Sequence, residues 1–243
     1  MKTNRQDRLQ ELIKIDMPLW EKGVVFAGMD EAGRGPLCGN VVAGCVIMPR
    51  EPLLEWVDDS KKLSAMRREK VYEKIMQTAL YVGVGEATPE EIDEINILNA
   101  TKNAMRRAAM NAGAEIYLID AVEKLGLPGE EMGIIHGDAL CYSIAAASIV
   151  AKVTRDRQMA QLDEMYPGYN FAKHKGYGTA EHIRALKELG PCPAHRRSFI
   201  KNLSAYERQR YCARGAAGRN DRPCGAQAQR DEAGLPALSR RQR

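Results

Sequence analysis

Apolar residues occur along this chain in short runs, and polar or glycine-rich segments separate one run from the next. Two runs, at residues 24–30 and 40–48, predict buried antiparallel strands because a short loop with three glycines and a proline joins them. A third strand is predicted at 81–87, and a fourth, with the sequence EIYLID, at 115–120. A shorter apolar segment follows at 133–135. The first half of the chain is therefore predicted to be rich in strands.

Positions with helical spacing predict five helices around these strands. The helices cover approximately residues 4–17, 64–80, 88–113, 138–162 and 180–189. Ser64 and Thr88 are the predicted N-caps of two of them, and Glu91 is expected to reach back and complete a capping box with Thr88. Alternation of strands and helices after three early strands predicts an α/β fold with a sheet of mixed direction.

We divide the 243 residues into an N-terminal helical segment (1–22), a folded body (23–204) and, where the composition changes, a tail rich in Arg, Ala and Gly (205–243). We predict that the tail is disordered. The tail contains nine arginines and four acidic residues, a net charge of +5, so residues 1–204 carry −1 of the total of +4. A body without general positive charge would have to bind nucleic acid through local clusters of Lys and Arg and through metal ions.

The six cysteines and the distribution of apolar residues argue against several classes of protein. No two cysteines have C-x-x-C spacing, which argues against a zinc site or a redox dithiol. The N-terminus has no continuous apolar run typical of a signal peptide, and no run approaches the roughly 20 residues of a membrane span. We therefore expect a cytoplasmic protein with reduced thiols and no membrane partner.

Four acidic residues stand where predicted strands end or a helix begins: Asp30, Glu31, Asp120 and Asp138. Carboxylates beside buried strands are costly unless they are paired, hydrogen-bonded or bound to metal, and oxygen ligands select hard cations such as Mg²⁺ or Mn²⁺. Successive strand residues point to opposite faces, so Glu31 can share a metal with Asp30 only where the backbone bends. Each acid alone is also explained as a helix cap or a solvated strand end.

Four further segments could contact phosphate, sugar or base. In the loop 33–35, glycines permit close approach of the backbone and an arginine could bind phosphate; a tight turn with an exposed arginine is the alternative. Ser60 and Lys61 lie in a short basic segment that is either a phosphate contact or a solvated helix start. Tyr177 could stack on a sugar or pack its own loop, and residues 195–198 are either another phosphate contact or only a charged loop.

Six segments, in this order, closely resemble the ribonuclease HII family. They are AGMDEAGRGPLCG, DSKKLS, YLIDAV, HGDALCYSIAAASIVAKVTRD, HKGYGTAEH and HRRSF. The resemblance extends from about residue 23 to about residue 200. It implies a ribonuclease H-like fold, in which helices flank a central mixed five-stranded sheet and a helical C-terminal part follows.

The resemblance also implies roles for individual residues. It implies that four acids form the catalytic metal site: Asp30, Glu31, Asp120 and Asp138. It implies that Gly33, Arg34 and Gly35 contact the ribonucleotide, including its 2′-hydroxyl. Tyr177 matches the family tyrosine that packs against the deoxyribose after the RNA–DNA junction. The sequence departs from the family pattern at Asn40, Gly44 and His136, none of which is among these residues.

The activity implied is that of a metal-dependent endonuclease, a phosphodiester hydrolase. It would hydrolyse the RNA strand of RNA–DNA hybrids and cut 5′ of ribonucleotides embedded in duplex DNA, leaving 5′-phosphate and 3′-hydroxyl ends. Our hypothesis is a two-metal mechanism with Mg²⁺ or Mn²⁺, carried out by a monomer. Three alternatives are a hybrid cutter resembling ribonuclease HIII, a hybrid-binding protein without activity, and a DNA-cutting resolvase.

Overall fold

The computed structural model describes residues 4–122 and 124–201, and the strands of these residues form one mixed sheet in the order β3-β2-β1-β4-β5. The strands are β1 (Phe26–Ala32), β2 (Val41–Ile47), β3 (Tyr81–Ala87), β4 (Ile116–Asp120) and β5 (Glu130–Ile134). The pairs β1–β2 and β2–β3 are antiparallel, whereas β1–β4 and β4–β5 are parallel. The prediction of a mixed five-stranded sheet is confirmed. The tail predicted at 205–243 lies outside the described residues.

The described residues form nine helices. The first four are α1 (Arg5–Leu12), α2 (Met17–Glu21), α3 (Ala65–Thr78) and α4 (Pro89–Ala109). The next two, α5 (Gly137–Leu140) and α6 (Tyr142–Met165), follow the sheet. The C-terminal part contains α7 (Phe171–His174), α8 (Ala180–Leu189) and α9 (Arg197–Ile200). The implied helical C-terminal part is therefore present.

Two of the predicted helices are each divided into two, and a third, α4, has a kink at Asn96, where φ is +69°. The helix predicted at 4–17 ends at Leu12, and a second helix begins at Met17, where Pro18 favours a new first turn. The helix predicted at 138–162 is interrupted at Cys141, whose backbone is extended. Physical chemistry explains that break, because the buried carboxylate of Asp16 binds the first N–H groups of α6 and starts the helix there.

The predicted N-caps were right, but the predicted capping box was not. The hydroxyls of Ser64 and Thr88 accept hydrogen bonds from the third residue of α3 and α4, respectively. The carboxylate of Glu91 instead accepts two hydrogen bonds from Arg107, at 2.7 and 3.0 Å, and one from Asn103. A guanidinium fork is a stronger partner for a carboxylate than a single backbone N–H, so Glu91 ties two parts of α4 together.

Apolar residues cover the two faces of the sheet separately. Odd-numbered residues of β1 and β2, such as Met29 and Ala43, pack with α4, and Val46 packs with α3 and α6 on the other face. α6 can lie close to β1 because Gly28 has no side chain: a Cβ there would be 2.1 Å from the backbone of Ser143. The sheet is thus a layer between α4 and α6, and the side chains of successive strand residues face different helices.

Candidate metal centre and substrate loops

The parallel register of three strands brings three of the predicted acids together. Met29 lies opposite Ile119 in the β1–β4 pair, so Asp30 and Asp120 follow side by side at the ends of these strands. β5 pairs with the other edge of β4, and the chain that leaves β5 begins α5, which carries Asp138. Carboxylate oxygens of Asp30, Asp120 and Asp138 lie within 4.8 Å of one another.

Glu31 does not belong to that group of three, and strand geometry explains why. Asp30 pairs with Gly44, which is packed against α6, whereas Glu31 pairs with Ala43, which is packed against α4. The carboxylate of Glu31 accepts a hydrogen bond from Nη1 of Arg34 at 3.3 Å. Glu31 therefore lies at the edge of the group, on the side where the loop 33–35 begins.

Burial and mutual repulsion make the carboxylates of Asp30 and Asp120 unfavourable as free anions. Asp30 and Asp138 are each 6% exposed. Burial raises the pKa of Asp30 well above its ordinary value of 3.8, and the negative charges of Glu31 and Asp120 raise it further. Burial also raises the pKa of Asp120, although the N–H of Gly137 donates to its carboxylate at 2.8 Å. A buried group of oxygen ligands with this repulsion fits a hard divalent cation such as Mg²⁺ or Mn²⁺.

The raised pKa of Asp30 predicts how the stability of the metal-free protein depends on pH. The folded protein keeps this proton at pH values where the unfolded chain has lost it, so the stabilising contribution is complete below pH 3.8 and is lost as pH rises through the higher folded pKa. Asp30→Asn does not titrate, so its advantage in unfolding free energy over the wild type should grow from pH 4 to pH 8. Urea unfolding in EDTA measures this difference in unfolding free energy between the variant and the wild type. A difference that does not change with pH would contradict the raised pKa of Asp30.

Lys61 is the cation nearest to Asp138 among the described side chains, with Nζ 3.0 Å from Oδ2. Partial burial disfavours its charge, but the hydrogen bond to Asp138 and the field of Asp30 dominate and raise the pKa of Lys61. The Lys61 side chain is 77% exposed and so can also reach a ligand. Its neighbour Ser60 is only 4% exposed, and the Ser60 carbonyl accepts from Nε of Arg68. Lys61 therefore faces the candidate site, whereas Ser60 lies beneath the surface.

A buried guanidinium holds the loop that follows β1. Arg196 is fully buried, and it donates to backbone carbonyls at distances of 2.6–3.0 Å. The acceptors are the carbonyls of Gly33, Arg34, Pro36 and Gly39. Burial lowers the pKa of Arg196 to about 9, which leaves it charged at neutral pH. The phosphate contact predicted for residues 195–198 is therefore wrong for Arg196, because its donors are used inside the protein.

A second buried guanidinium, that of Arg155 on α6, holds the other end of the same loop. It donates to the carbonyls of Cys38, Asn40 and Lys175 at 3.0–3.1 Å. Gly33 has a φ of +98°, and a Cβ at this position would lie 2.0 Å from Nε of Arg155. Glycine is therefore required at residue 33 for both its backbone angle and its contact with Arg155.

Tyr177 lies against the loop that the two arginines hold. A Cβ placed at Gly35 would lie 3.7 Å from Cε1 of the Tyr177 ring. The N–H of Leu37 donates to the carbonyl of Gly176 at 2.8 Å. Tyr177 remains 48% exposed, and the side chain of Arg34 is 42% exposed. The structure thus brings together an exposed aromatic ring, an exposed guanidinium and glycine backbone at one surface.

Buried histidines support Tyr177 from within. The N–H of Cys192 donates to Nδ1 of His195, so the His195 proton is on Nε2 and is directed at Nε2 of His182, 3.0 Å away. The remaining proton of His182, on Nδ1, is then donated to the carbonyl of Tyr177 at 3.0 Å. Burial lowers the pKa of both histidines to about 4, so both are neutral. Cys38 lies within 4.8 Å of this pair, but the ring nitrogens are already used to hold the Tyr177 loop.

Sequence reasoning did not identify the supporting roles of Arg155 and Arg196. Both lie in segments that carry the family resemblance, AKVTRD and HRRSF, but no pattern of charges indicates that a particular arginine is buried. Basic residues are usually exposed, so the surface interpretation was the natural one for these segments. Only the three-dimensional contact with the loop carbonyls reveals what they do.

Comparisons with known proteins show to which family this chain belongs. The family model described as ribonuclease HII matches residues 27–202. The ribonuclease HII of Caldanaerobacter subterraneus subsp. tengcongensis is 50% identical over 199 residues, which cover 81% of this chain and 83% of that protein. That of Lachnoclostridium phytofermentans is 54% identical over 184 residues, which cover 74% of this chain and 72% of that protein.

A solved structure shows the same fold. The RNase HII of Archaeoglobus fulgidus, determined in a complex with PCNA, has a TM-score of 0.62 and 28% identity, and the match covers 71% of this chain and 94% of that one. Together with the family match over most of the described residues, this similarity decides the classification. The chain belongs to the ribonuclease HII family of metal-dependent endonucleases, which cleave at ribonucleotides in RNA–DNA hybrids.

Proposed function

We propose that Asp30, Asp120 and Asp138, with Glu31 at their edge, hold two Mg²⁺ or Mn²⁺ ions at the phosphate on the 5′ side of a ribonucleotide. The observation that carries this proposal is the approach of three carboxylates, two of them buried and one half-buried, to within 4.8 Å of one another. When bound, such ions polarise the phosphate and favour deprotonation of the attacking water. Cleavage would leave 5′-phosphate and 3′-hydroxyl ends.

The loop 33–35 is the proposed site of ribose selection. The carbonyls of Gly33 and Arg34 accept hydrogen bonds from Arg196 inside the protein, which restrains the loop. The N–H groups of Arg34 and Gly35 have no acceptor among the described residues, so they can be used by a ligand. The 2′-hydroxyl distinguishes ribose from deoxyribose, and a rigid backbone donor discriminates well between a ligand that carries this oxygen and one that lacks it.

Charged side chains around the acids would bind and orient the nucleic acid. Lys61 and the guanidinium of Arg34 each contact one acid and remain partly exposed, so either can move from its carboxylate to a phosphate oxygen. Ser60 would contribute through the conformation of the turn before Lys61. The substrates proposed are RNA–DNA hybrids and duplex DNA that contains ribonucleotides.

Cutting of a duplex with one ribonucleotide tests this function. We expect cleavage on the 5′ side of the ribonucleotide with Mg²⁺ or Mn²⁺ present, none in EDTA, and none of the same duplex made of DNA alone. Ligation of the products identifies the 5′-phosphate. Cleavage of the all-DNA duplex would favour the resolvase alternative, and binding without cleavage would favour the hybrid-binding alternative.

Tyr177 is expected to matter most at the junction between RNA and DNA. Tyr177→Ala removes the ring that lies beside Gly35, so kcat/KM should fall roughly tenfold on the single-ribonucleotide duplex and by less on a long hybrid. Tyr177→Phe keeps the ring and should retain most of the activity on both substrates. Equal losses on the two substrates for Tyr177→Ala would contradict the junction role.

The proposed setting is the cytoplasm, with the enzyme acting as a monomer. Four buried cysteines of the described residues are free thiols, which suits a reducing compartment. None of the helices in the described part of the chain is long and apolar enough to cross a bilayer. Sedimentation equilibrium of the full chain, with and without a hybrid duplex, tests whether the protein is a monomer.

A further inference from the structure

We propose that Arg8 and Asp16 are positioning residues, through which the N-terminal segment (residues 4–22) fixes Asp138 and Lys61 in the metal centre. This inference rests on the proposed function, because it takes Asp138 to be a metal ligand. The N-terminal segment precedes the residues 27–202 that match the family model. It nevertheless contacts the two chain segments that carry Asp138 and Lys61.

Arg8 bridges these two segments. Its Nη2 and Nε lie 2.6 and 3.1 Å from Oδ1 of Asp58, three residues before Lys61. The same Nη2 donates to the carbonyl of Ala139 at 2.8 Å, one residue after Asp138. One guanidinium therefore sets the separation between the backbone on either side of the Lys61–Asp138 contact.

A chain of hydrogen bonds continues from Arg8 to Lys61. Oδ1 of Asp58 also accepts from the N–H of Asp59 at 2.9 Å, and Oδ1 of Asp59 accepts from the N–H of Lys61 at 2.9 Å. Nζ of Lys61 then reaches Oδ2 of Asp138 at 3.0 Å. These contacts form a closed ring that returns to Arg8 through Ala139, so the removal of Arg8 opens it.

Asp16 fixes the chain on the other side of Asp138. It is fully buried, and it accepts hydrogen bonds from the N–H groups of Tyr142 and Ser143 at 3.1 and 3.0 Å. The N-cap residue of α6, Cys141, provides no side-chain cap of its own. Asp16 thus replaces the missing cap, and it determines where the short turn that contains Asp138 ends and α6 begins.

The N-terminal segment can serve as a fixed support because its apolar side chains lie in the core. Leu9, Leu12 and Ile13 are buried in the same cluster as residues of α3 and α6. Ligand groups of a metal site must be held to within about 0.5 Å of their productive positions. A support that is packed into the core and hydrogen-bonded on both sides of Asp138 meets that requirement.

Binding of Mn²⁺ to Arg8→Met tests the proposal. Electron paramagnetic resonance of free Mn²⁺ measures the affinity of the full chain without any substrate. We expect Arg8→Met to bind Mn²⁺ roughly tenfold more weakly, as is typical when a group that orients a metal ligand is removed. Arg8→Lys, which keeps a cation, should recover part of the affinity. Lys14→Met is the matched control, because Lys14 is on the same segment and its ammonium pairs, among the described residues, only with the exposed Glu11.

A double-mutant cycle with Asp138→Asn separates positioning from a general loss of structure. If Arg8 acts through Asp138, Arg8→Met should change Mn²⁺ affinity by less than twofold when Asp138→Asn is already present. An equal loss in both backgrounds would overturn the proposal, and so would unchanged affinity of Arg8→Met. Failure of the wild-type protein to bind Mn²⁺ would instead refute the proposed metal centre.

Asp16→Asn provides a second measurement at the other contact. The amide has nearly the same shape but cannot accept on both sides, so one N–H at the start of α6 loses its partner. We expect weaker Mn²⁺ binding in this variant as well, again dependent on Asp138. If it unfolds, the Arg8 variants alone decide the question.

Discussion

Asp30→Asn is expected to lower the rate of cleavage by roughly a thousandfold or more, because loss of a ligand removes several kcal/mol of stabilisation from the transition state. The same change should raise the unfolding free energy of the metal-free protein at neutral pH by about 1–3 kcal/mol. It removes a carboxyl group whose charged form is disfavoured by burial and by the negative charges of Glu31 and Asp120. Opposite effects on activity and stability distinguish a functional acid from a structural one.

Single-turnover cleavage of the one-ribonucleotide duplex and urea unfolding in EDTA measure these two effects. Glu164→Gln removes an exposed acid near the end of α6 and should leave both quantities unchanged. Full activity of Asp30→Asn would end the metal-site interpretation. Loss of activity together with loss of stability would show that Asp30 is needed mainly for folding.

Arg196→Met is expected to lower the unfolding free energy by about 3–5 kcal/mol, the range for breaking a buried charged interaction. Four loop carbonyls lose their donor, and water cannot easily replace it because Arg196 is fully buried. Arg196→Lys keeps the charge but not the planar fork, so its unfolding free energy should lie between those of the wild type and Arg196→Met. The loop 33–35 should also lose the restraint that these hydrogen bonds provide and, with it, selectivity for ribose.

The neighbouring residue provides the control for this prediction. Arg197 is exposed, and Arg197→Met should change the unfolding free energy by no more than about 0.5 kcal/mol. Cleavage of Arg196→Lys is measured at a temperature where the variant is folded, on substrates with and without a 2′-hydroxyl. Similar stability losses for the Arg196 and Arg197 variants would contradict the structural role of the buried guanidinium.

The sheet and the position of the acids could be predicted from sequence because both depend on local patterns. Continuous apolar runs indicate buried strands, and acids that end such runs indicate a site at the edge of the sheet. The alternation of strand residues also explains why Glu31 is separated from the group of three. The sequence predicts this separation unless the backbone bends at Glu31. In the structure, the separation follows from the pairing of Glu31 with Ala43.

What could not be predicted depends on contacts between residues far apart in the chain. The break between α5 and α6 follows from Asp16, which is 126 residues away from its partner Tyr142. The burial of Arg196 follows from a loop more than 150 residues earlier. Glu91 has the spacing of a capping box, yet Arg107 competes successfully for its carboxylate. The local sequence does not show which of these distant groups will form the hydrogen bond.

The alternation of side chains along β1 also limits how this protein can evolve. Asp30 and Glu31 face different helices, so the deletion of one residue earlier in β1 would exchange the faces of the sheet that they occupy and destroy the site, even though an acid would still end the strand. Insertions in the connection between β4 and β5 would not alter that register. Natural length variation should therefore be concentrated in such connections and absent from the first strand.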